Sequence, residues 1–230
     1  MESQSRVTTA LTSQVGRKIL TGVTGVLLVF FVIGHLLGNL QLLDPDPNLF
    51  NSYGKKLHDF GLLLYIVEVA LALLILIHAV IGISIFAKKL KARKGGYKGV
   101  GVKEGGMGKQ SLASRTMIIT GVVLLIFLVV HILQFRFGPA ADMMIDGEKA
   151  LDLHGLVMST FANIWWVLFY VGVMLLIGFH LRHGIWSMLQ SLGMMKPRWS
   201  KGIHGAALVI GLLLAVGFLL LPVIIYLRQA

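Results

Sequence analysis

Histidine is the residue whose number and placement here point to chemistry. The chain of 230 residues carries eight histidines and no cysteine. His35, His78, His131 and His180 fall one each inside four long apolar stretches. An imidazole at membrane depth is costly and marks a functional site by default. A single one serves equally well as a hydrogen bond between helices. Four, spread one per stretch, argue for a shared task. The missing cysteines exclude a thiolate zinc site, an iron–sulfur centre, a cysteine nucleophile and a disulfide-stapled fold from this chain.

The elements that must hold these imidazoles follow from hydropathy. Residues 19–43, 116–135, 161–181 and 202–227 contain no Asp, Glu, Lys or Arg, and residues 60–87 contain only Glu68. A bilayer core takes about 20 helical residues to cross. Backbone groups in lipid must be satisfied within the segment, so the spans are helices. With flanking turns, five spans are expected at about 19–43, 60–87, 116–138, 161–188 and 202–227, in one domain over residues 1–230. The expected fold is an all-α membrane protein whose helix bundle holds its cofactors. Hydrophobic residues make up 56% of the chain and charged residues 13%, against about 25% charged in soluble domains. That excludes an ordinary soluble enzyme.

Loop charges predict the orientation. Arg6, Arg17 and Lys18 precede the first span, nine basic residues lie between Lys88 and Arg115, and Arg182, Lys196, Arg198 and Lys201 follow the fourth span. The opposite loops carry Lys55, Lys56, Arg136, Lys149 and Arg228. The positive-inside rule then places the N-terminus in the cytoplasm and the C-terminus outside, in a multi-pass protein of the cytoplasmic (inner) membrane. The net charge of +11 reads mainly as topology, with anionic lipid headgroups as a compatible partner. No nucleic-acid module is visible. Trp165, Trp166, Tyr226 and Trp199 read as interface anchors.

Depth sorts the four histidines. His35 and His131 lie eight and four residues from the outer ends of their stretches, and His78 and His180 lie 18 and 19 residues from theirs. At 1.5 Å per residue these are two levels of two, separated by roughly 15–20 Å. Two imidazoles facing each other fill both axial positions of a haem iron and favour electron transfer over oxygen binding. Two such centres stacked across a bilayer would carry electrons over it. A zinc site would gather its ligands at one point, and a proton relay would need acids among the histidines, where only Glu68 is available. Gly34, Gly38, Gly82, Gly178 and Gly184 beside the histidines would admit a flat ring, or simply let helices pack closely. His183 shares a face with His180 and competes with it as ligand, or meets a haem propionate. His58, His154 and His204 lie outside the predicted cores of the spans, where solvated histidines are ordinary.

Several stretches together resemble a known family. They are Gly16-Arg17-Lys18 leading to Thr24-Gly25, Gly34-His35-Leu36-Leu37-Gly38-Asn39-Leu40, Ala113-Ser114-Arg115-Thr116-Met117, and His131 followed by Gln134-Phe135. The most specific is Gly178-Phe179-His180-Leu181-Arg182-His183-Gly184-Ile185-Trp186-Ser187 with Gln190-Ser191-Leu192-Gly193. The chain resembles the five-helix, single-polypeptide dihaem cytochrome b anchor of succinate:quinone oxidoreductases, that is, succinate dehydrogenase and fumarate reductase. The resemblance implies two haem b groups, with His35 and His131 as axial ligands of the outer one and His78 and His180 of the inner one. It implies a flavoprotein subunit with FAD and an iron–sulfur subunit on the cytoplasmic face, and exchange of electrons with quinone, typically menaquinone. Succinate chemistry would belong to the partner subunits and quinone chemistry to this chain.

Other residues carry expectations of their own. Arg17, Lys18, Arg115 and Arg182 at the inner ends are candidates to pair with haem propionates or to dock the partner. Glu68, His58, Asp59, Asp152 and His154 are candidates for the quinone site near the outer face, with Glu68 either neutral or paired. Two rival readings stay open. One is a cytochrome b anchor of another membrane oxidoreductase, of hydrogenase or formate dehydrogenase type. The other is a haem-free, histidine-containing transporter.

Overall fold

The computed structural model describes residues 13–94, 112–194 and 197–229. Arg6, Lys196 and the basic residues at 95–111, which entered the orientation argument, lie outside the described residues, and so does the side chain of Arg115. Five helices are long and apolar enough to cross a membrane, over Val15–Leu43, Leu62–Lys88, Thr116–Phe135, Ile164–Ser191 and Arg198–Leu227.

In chain order, α1 is Gln14–Asn39, continued by a 3-10 turn over Leu40–Leu43. Helix α2 is Pro47–His58, α3 is Leu62–Lys94 and α4 is Leu112–Phe135. Strands β1 (Asp142–Ile145) and β2 (Glu148–Leu151) follow, then α5 (Leu153–Phe161), α6 (Ile164–Ser191) and α7 (Pro197–Leu227). All five long helices match expected spans, but several boundaries move. Helix α4 stops at Phe135 rather than 138, and α6 begins at Ile164 rather than 161 because α5 takes the residues before it. Helix α7 begins at Pro197 rather than 202, and α3 runs on to Lys94. Backbone hydrogen bonding continues a helix past the apolar stretch, so hydropathy underestimates its length.

The all-α expectation fails in one loop. Residues 142–151 form an antiparallel hairpin in which Asp142 pairs with Leu151 and Ile145 with Glu148. Its turn is Asp146-Gly147, with φ of +52° and +79°. Both central residues of the tight hairpin turn that matches strand twist need positive φ, and Asp-Gly supplies it.

The hairpin, α2 and α5 form a cap over one end of the bundle. Side-chain caps set where its helices start. Asp46 accepts from Asn48 N ahead of Pro47, and Asp152 accepts from Gly155 N; at the head of α6, Asn163 accepts from Trp165 N. Each satisfies an amide that the helix itself leaves open. The cap turns on Asn51, which is 2% exposed. Its Nδ2 donates to Asp152 Oδ1 at 2.9 Å, and its Oδ1 accepts from His154 N at 2.7 Å. The core cluster gathers at this end: Leu42, Phe50, Phe127, Val157, Phe161, Val167, Tyr170, Val173, Met174 and Ile225.

Along the long helices many apolar side chains point outward, including Phe30 (68% exposed) and Trp165 (75%). Water would oppose this, whereas lipid tails cover such a surface without cost. Helix α7 carries Pro222 inside it, a break that membrane helices tolerate when neighbours satisfy the freed carbonyl.

Candidate functional site

The two histidine levels are built by matched helix pairs. His35 and His131 each lie four residues before the cap-side end of their helix, α1 and α4. His78 and His180 each lie sixteen residues from the cap-side start of theirs, α3 and α6. These are called the cap-side and far-side pairs.

On the cap side, the rings of His35 and His131 stand 5.8 Å apart with planes at 87°. Aromatic rings enclose them. Phe31 and Phe218 lie 5.4 and 5.8 Å from His35, and Phe135 and Phe127 lie 5.3 and 5.5 Å from His131. Tyr170 contributes its hydroxyl, which donates to Gln134 Oε1 at 2.8 Å and lies 3.3 Å from His131 Nδ1. A phenol has one proton to give. With that proton on Gln134, the hydroxyl accepts from His131 Nδ1–H. Among the described residues His35 Nδ1 has Asn39 Nδ2 nearby at 3.5 Å, while that amide donates at 2.8 Å to His35 O.

On the far side, His78 and His180 stand at one level by their equal distance from the starts of α3 and α6. Each ring is buttressed from a different helix. His78 Nδ1 lies 3.0 Å from Thr24 Oγ1 of α1, and His180 Nδ1 lies 3.1 Å from Thr120 Oγ1 of α4. Both threonines are buried. Each ring also rests over the next residue, a glycine. A Cβ on Gly25 would stand 3.5 Å from His78 Cε1, and one on Gly121 3.4 Å from His180 Cε1.

The donor set suits a haem iron. Two metal–imidazole bonds of about 2 Å each, joined in line, put ring centres about 6 Å apart, close to the 5.8 Å of the cap-side pair. Among the described residues no three or more His, Cys, Asp or Glu side chains converge. The histidines meet two at a time, which suits a metal whose other ligands come from its own macrocycle. At three of the four imidazoles Nδ1 is engaged by a hydroxyl, so a metal held there would be met by Nε2.

His183, three residues on from His180 in α6, has an aromatic neighbour. Its ring lies 5.8 Å from Trp186, which in turn stacks on His204 at 5.1 Å. Trp186 Nε1 is buried without a hydrogen-bond partner. The glycines also divide. Among the described residues nothing beyond the helix's own adjacent backbone lies within 4 Å of a Cβ position on Gly34, Gly82 or Gly184, whereas Gly38 abuts Tyr53 and Gly178 abuts Ala215. The small size of Gly38 and Gly178 therefore serves packing. Arg17 reaches Ser84 Oγ at 3.5 Å, and Lys18 and Arg182 are exposed.

The quinone-site candidates are not brought together. Glu68 is paired, bonded by Arg136 Nε at 2.7 Å and Nη2 at 3.1 Å. That guanidinium also lies over the Tyr65 and Phe137 rings at 5.8 and 5.7 Å. Asp59 pairs with Lys55 at 2.8 Å, and the ion pairs with Asp59 and Glu148 raise the lysine pKa. His58 is exposed, with Nδ1 on Gly54 O at 2.9 Å. Asp152 and His154 belong to the Asn51 network of the cap. The amide of Gly155 and the Asn51 side chain hold the Asp152 carboxyl below the usual carboxylate range.

Sequence reasoning about chemistry missed Thr24, Thr120, Tyr170, Gln134 and Arg136. One signal was present. Thr24-Gly25 precedes His35, and Thr120-Gly121 precedes His131, by the same eleven residues. No family model, curated protein or solved structure matches the chain.

Proposed function

We propose that the chain is the membrane anchor and dihaem electron-transfer subunit of a succinate:quinone oxidoreductase. In this reading His35 and His131 hold one haem b, and His78 and His180 the other. The haems supply one-electron transfer along the bundle, between an iron–sulfur subunit on the cytoplasmic face and quinone, with a flavoprotein subunit beyond. The supporting observation is the gathering of four membrane-depth imidazoles into two pairs on matched helices. The family assignment rests on the sequence resemblance.

The chain's own residues would hold and tune the cofactors. Hydroxyls on Nδ1 orient three of the imidazoles. The aromatic rings around His35 and His131 keep that level apolar. The capped end is the outer one if the basic loops face the cytoplasm, in the inner membrane. Quinone, with menaquinone as the expected species, would meet this chain near that end, where Glu68 and Arg136 offer a paired acid and base within reach of the apolar phase. Arg17, Lys18, Arg115 and Arg182 lie at the opposite end, suited to propionates or to an acidic docking face.

The test is a redox-titrated optical spectrum of the purified, haem-replete protein. Two b-type components per polypeptide are expected. No b-type band at all would overturn the dihaem reading and leave the haem-free transporter. Co-purification with hydrogenase or formate dehydrogenase subunits, in place of a flavoprotein that oxidises succinate, would keep the haems and overturn the succinate assignment.

A further inference from the structure

Helices α1 and α4 carry the same device twice. Each presents a Thr-Gly step and, eleven residues on, a histidine. Eleven residues are three turns of about 3.6 residues with a remainder of roughly 20°, so both features lie on one face about 16 Å apart. Each helix therefore serves both levels. Its histidine belongs to the cap-side pair, and its threonine touches a far-side histidine of the neighbouring helix: Thr24 for His78 on α3, Thr120 for His180 on α6.

Proton counting fixes the direction of these contacts. A threonine hydroxyl has one proton. Thr24 Oγ1 donates it within its own helix, to Leu20 O at 2.9 Å or Thr21 O at 3.1 Å. Thr120 does the same, to Thr116 O or Met117 O, each at 3.1 Å. With the protons spent there, the oxygens offer lone pairs to the facing Nδ1–H, the direction that the dihaem reading requires, since a neutral ring bound through Nε2 carries its hydrogen on Nδ1. Both far-side rings are thereby held as the Nδ1–H tautomer, with the Nε2 lone pair free. At 3% and 4% exposure, the threonines are shielded from bulk water.

We propose that Thr24 and Thr120 are a matched pair of positioning residues that fix the tautomer and ring plane of His78 and His180, and so lower the midpoint potential of the far-side haem relative to the same site without them. This rests on the dihaem reading. An Nδ1–H bonded to an acceptor gives the imidazole more anionic character, which favours oxidised iron. Among the described residues the cap-side level has no equivalent pair, since what lies beside His35 Nδ1 is the Asn39 amide nitrogen at 3.5 Å.

The experiment is a potentiometric titration of the purified full-length protein with Thr24→Val, Thr24→Ser, Thr120→Val or Thr120→Ser. Valine keeps the shape and removes the acceptor, while serine keeps the hydroxyl. At a fixed ambient potential, each valine variant should raise the reduced-to-oxidised ratio of the far-side haem by up to about tenfold, about 59 mV for a one-electron couple. The cap-side haem should titrate as in the unsubstituted protein, and each serine variant should restore the original midpoint. Valine variants that keep both haems with unmoved midpoints would overturn the proposal and leave the dihaem reading standing. If a valine variant loses the far-side haem, the serine variant decides: serine with the original midpoint supports the role, and serine that loses the haem as well overturns it. Absence of any b-type band in the unsubstituted protein would overturn the dihaem reading itself.

Discussion

The two histidine levels share helices α1, α4 and α6 and are held by different means. On the far side, two buried threonines on neighbouring helices meet the imidazoles at 3.0 and 3.1 Å. On the cap side the hydroxyl contact is 3.3 Å, from Tyr170 to His131, and the Asn39 amide stands 3.5 Å from His35. Packing compensates there. Five aromatic rings surround the pair, and most of the buried core lies around it. The far-side imidazoles are thus held by directional bonds, and the cap-side ones by shape. Hydrogen bonds fix a tautomer, whereas packing fixes position and leaves the proton freer.

The largest expected effect breaks the levels apart. His131→Ala should remove one haem of two, halving the haem-to-protein ratio while the far-side component keeps its midpoint. Pyridine haemochrome content and a redox titration check this. Loss of both haems, or of neither, would mean that the levels are not independent pairs. His180→Ala should remove the other haem and leave the cap-side one. If His183→Ala did so instead, the ligand on α6 would be His183.

The next effect is on the cap. Asn51→Leu removes a side chain that serves both Asp152 and His154 N. A buried polar group left without its partner costs about 1–3 kcal/mol. The cap should loosen by that much in thermal unfolding or hydrogen exchange over residues 142–161, with the far-side midpoint unmoved. A shifted far-side midpoint would show that the levels share more than helices.

Tyr170→Phe tests the weaker hydroxyl directly. Its contact is long for a hydrogen bond, and strength falls with distance. The cap-side midpoint should rise, but by less than the far-side midpoint rises in Thr24→Val. A larger shift from Tyr170→Phe would reverse the comparison and make the Tyr170–Gln134 bond the stronger control.

Much of this arrangement was legible in the sequence, for physical reasons. Imidazoles are costly in lipid, so His35, His78, His131 and His180 stand out, and a fixed rise per residue orders their depths. Thr24 and Thr120 do not stand out, because a threonine in an apolar helix bonds its own preceding turn and costs little there. Their equal spacing to His35 and His131 gains meaning only once the bonds to His78 and His180 are known. The Glu68–Arg136 pair joins residues far apart in the chain, and nothing local announces it. The hairpin was announced by Asp146-Gly147, but the apolar spans on either side dominate any reading by hydropathy.

The smallest expected effect concerns acid. Asp152 has its carboxyl pKa lowered, first by the Gly155 amide and then by Asn51. The folded value lies below that of the unfolded chain, about 3.9. Such a group stabilises the fold above the unfolded value, and the contribution disappears as pH falls through the folded one. The cap should therefore hold unchanged from neutral pH to about 5 and loosen only below about 4. The carboxyl is partly open to solvent, so the loss should be no more than about 1 kcal/mol. Hydrogen exchange over residues 142–161, corrected for intrinsic rate and followed from pH 6 to 3, measures it. Asp152→Asn keeps an acceptor for Gly155 N without the titrating charge, so its profile should be flatter. A cap that loosened equally in both proteins would assign the acid sensitivity to another carboxylate, with Asp59 and Glu148 at Lys55 the first to substitute. Among the described residues the far-side imidazoles have threonine hydroxyls and no carboxylate as hydrogen-bond partners, so the far-side midpoint should not follow the cap through that range.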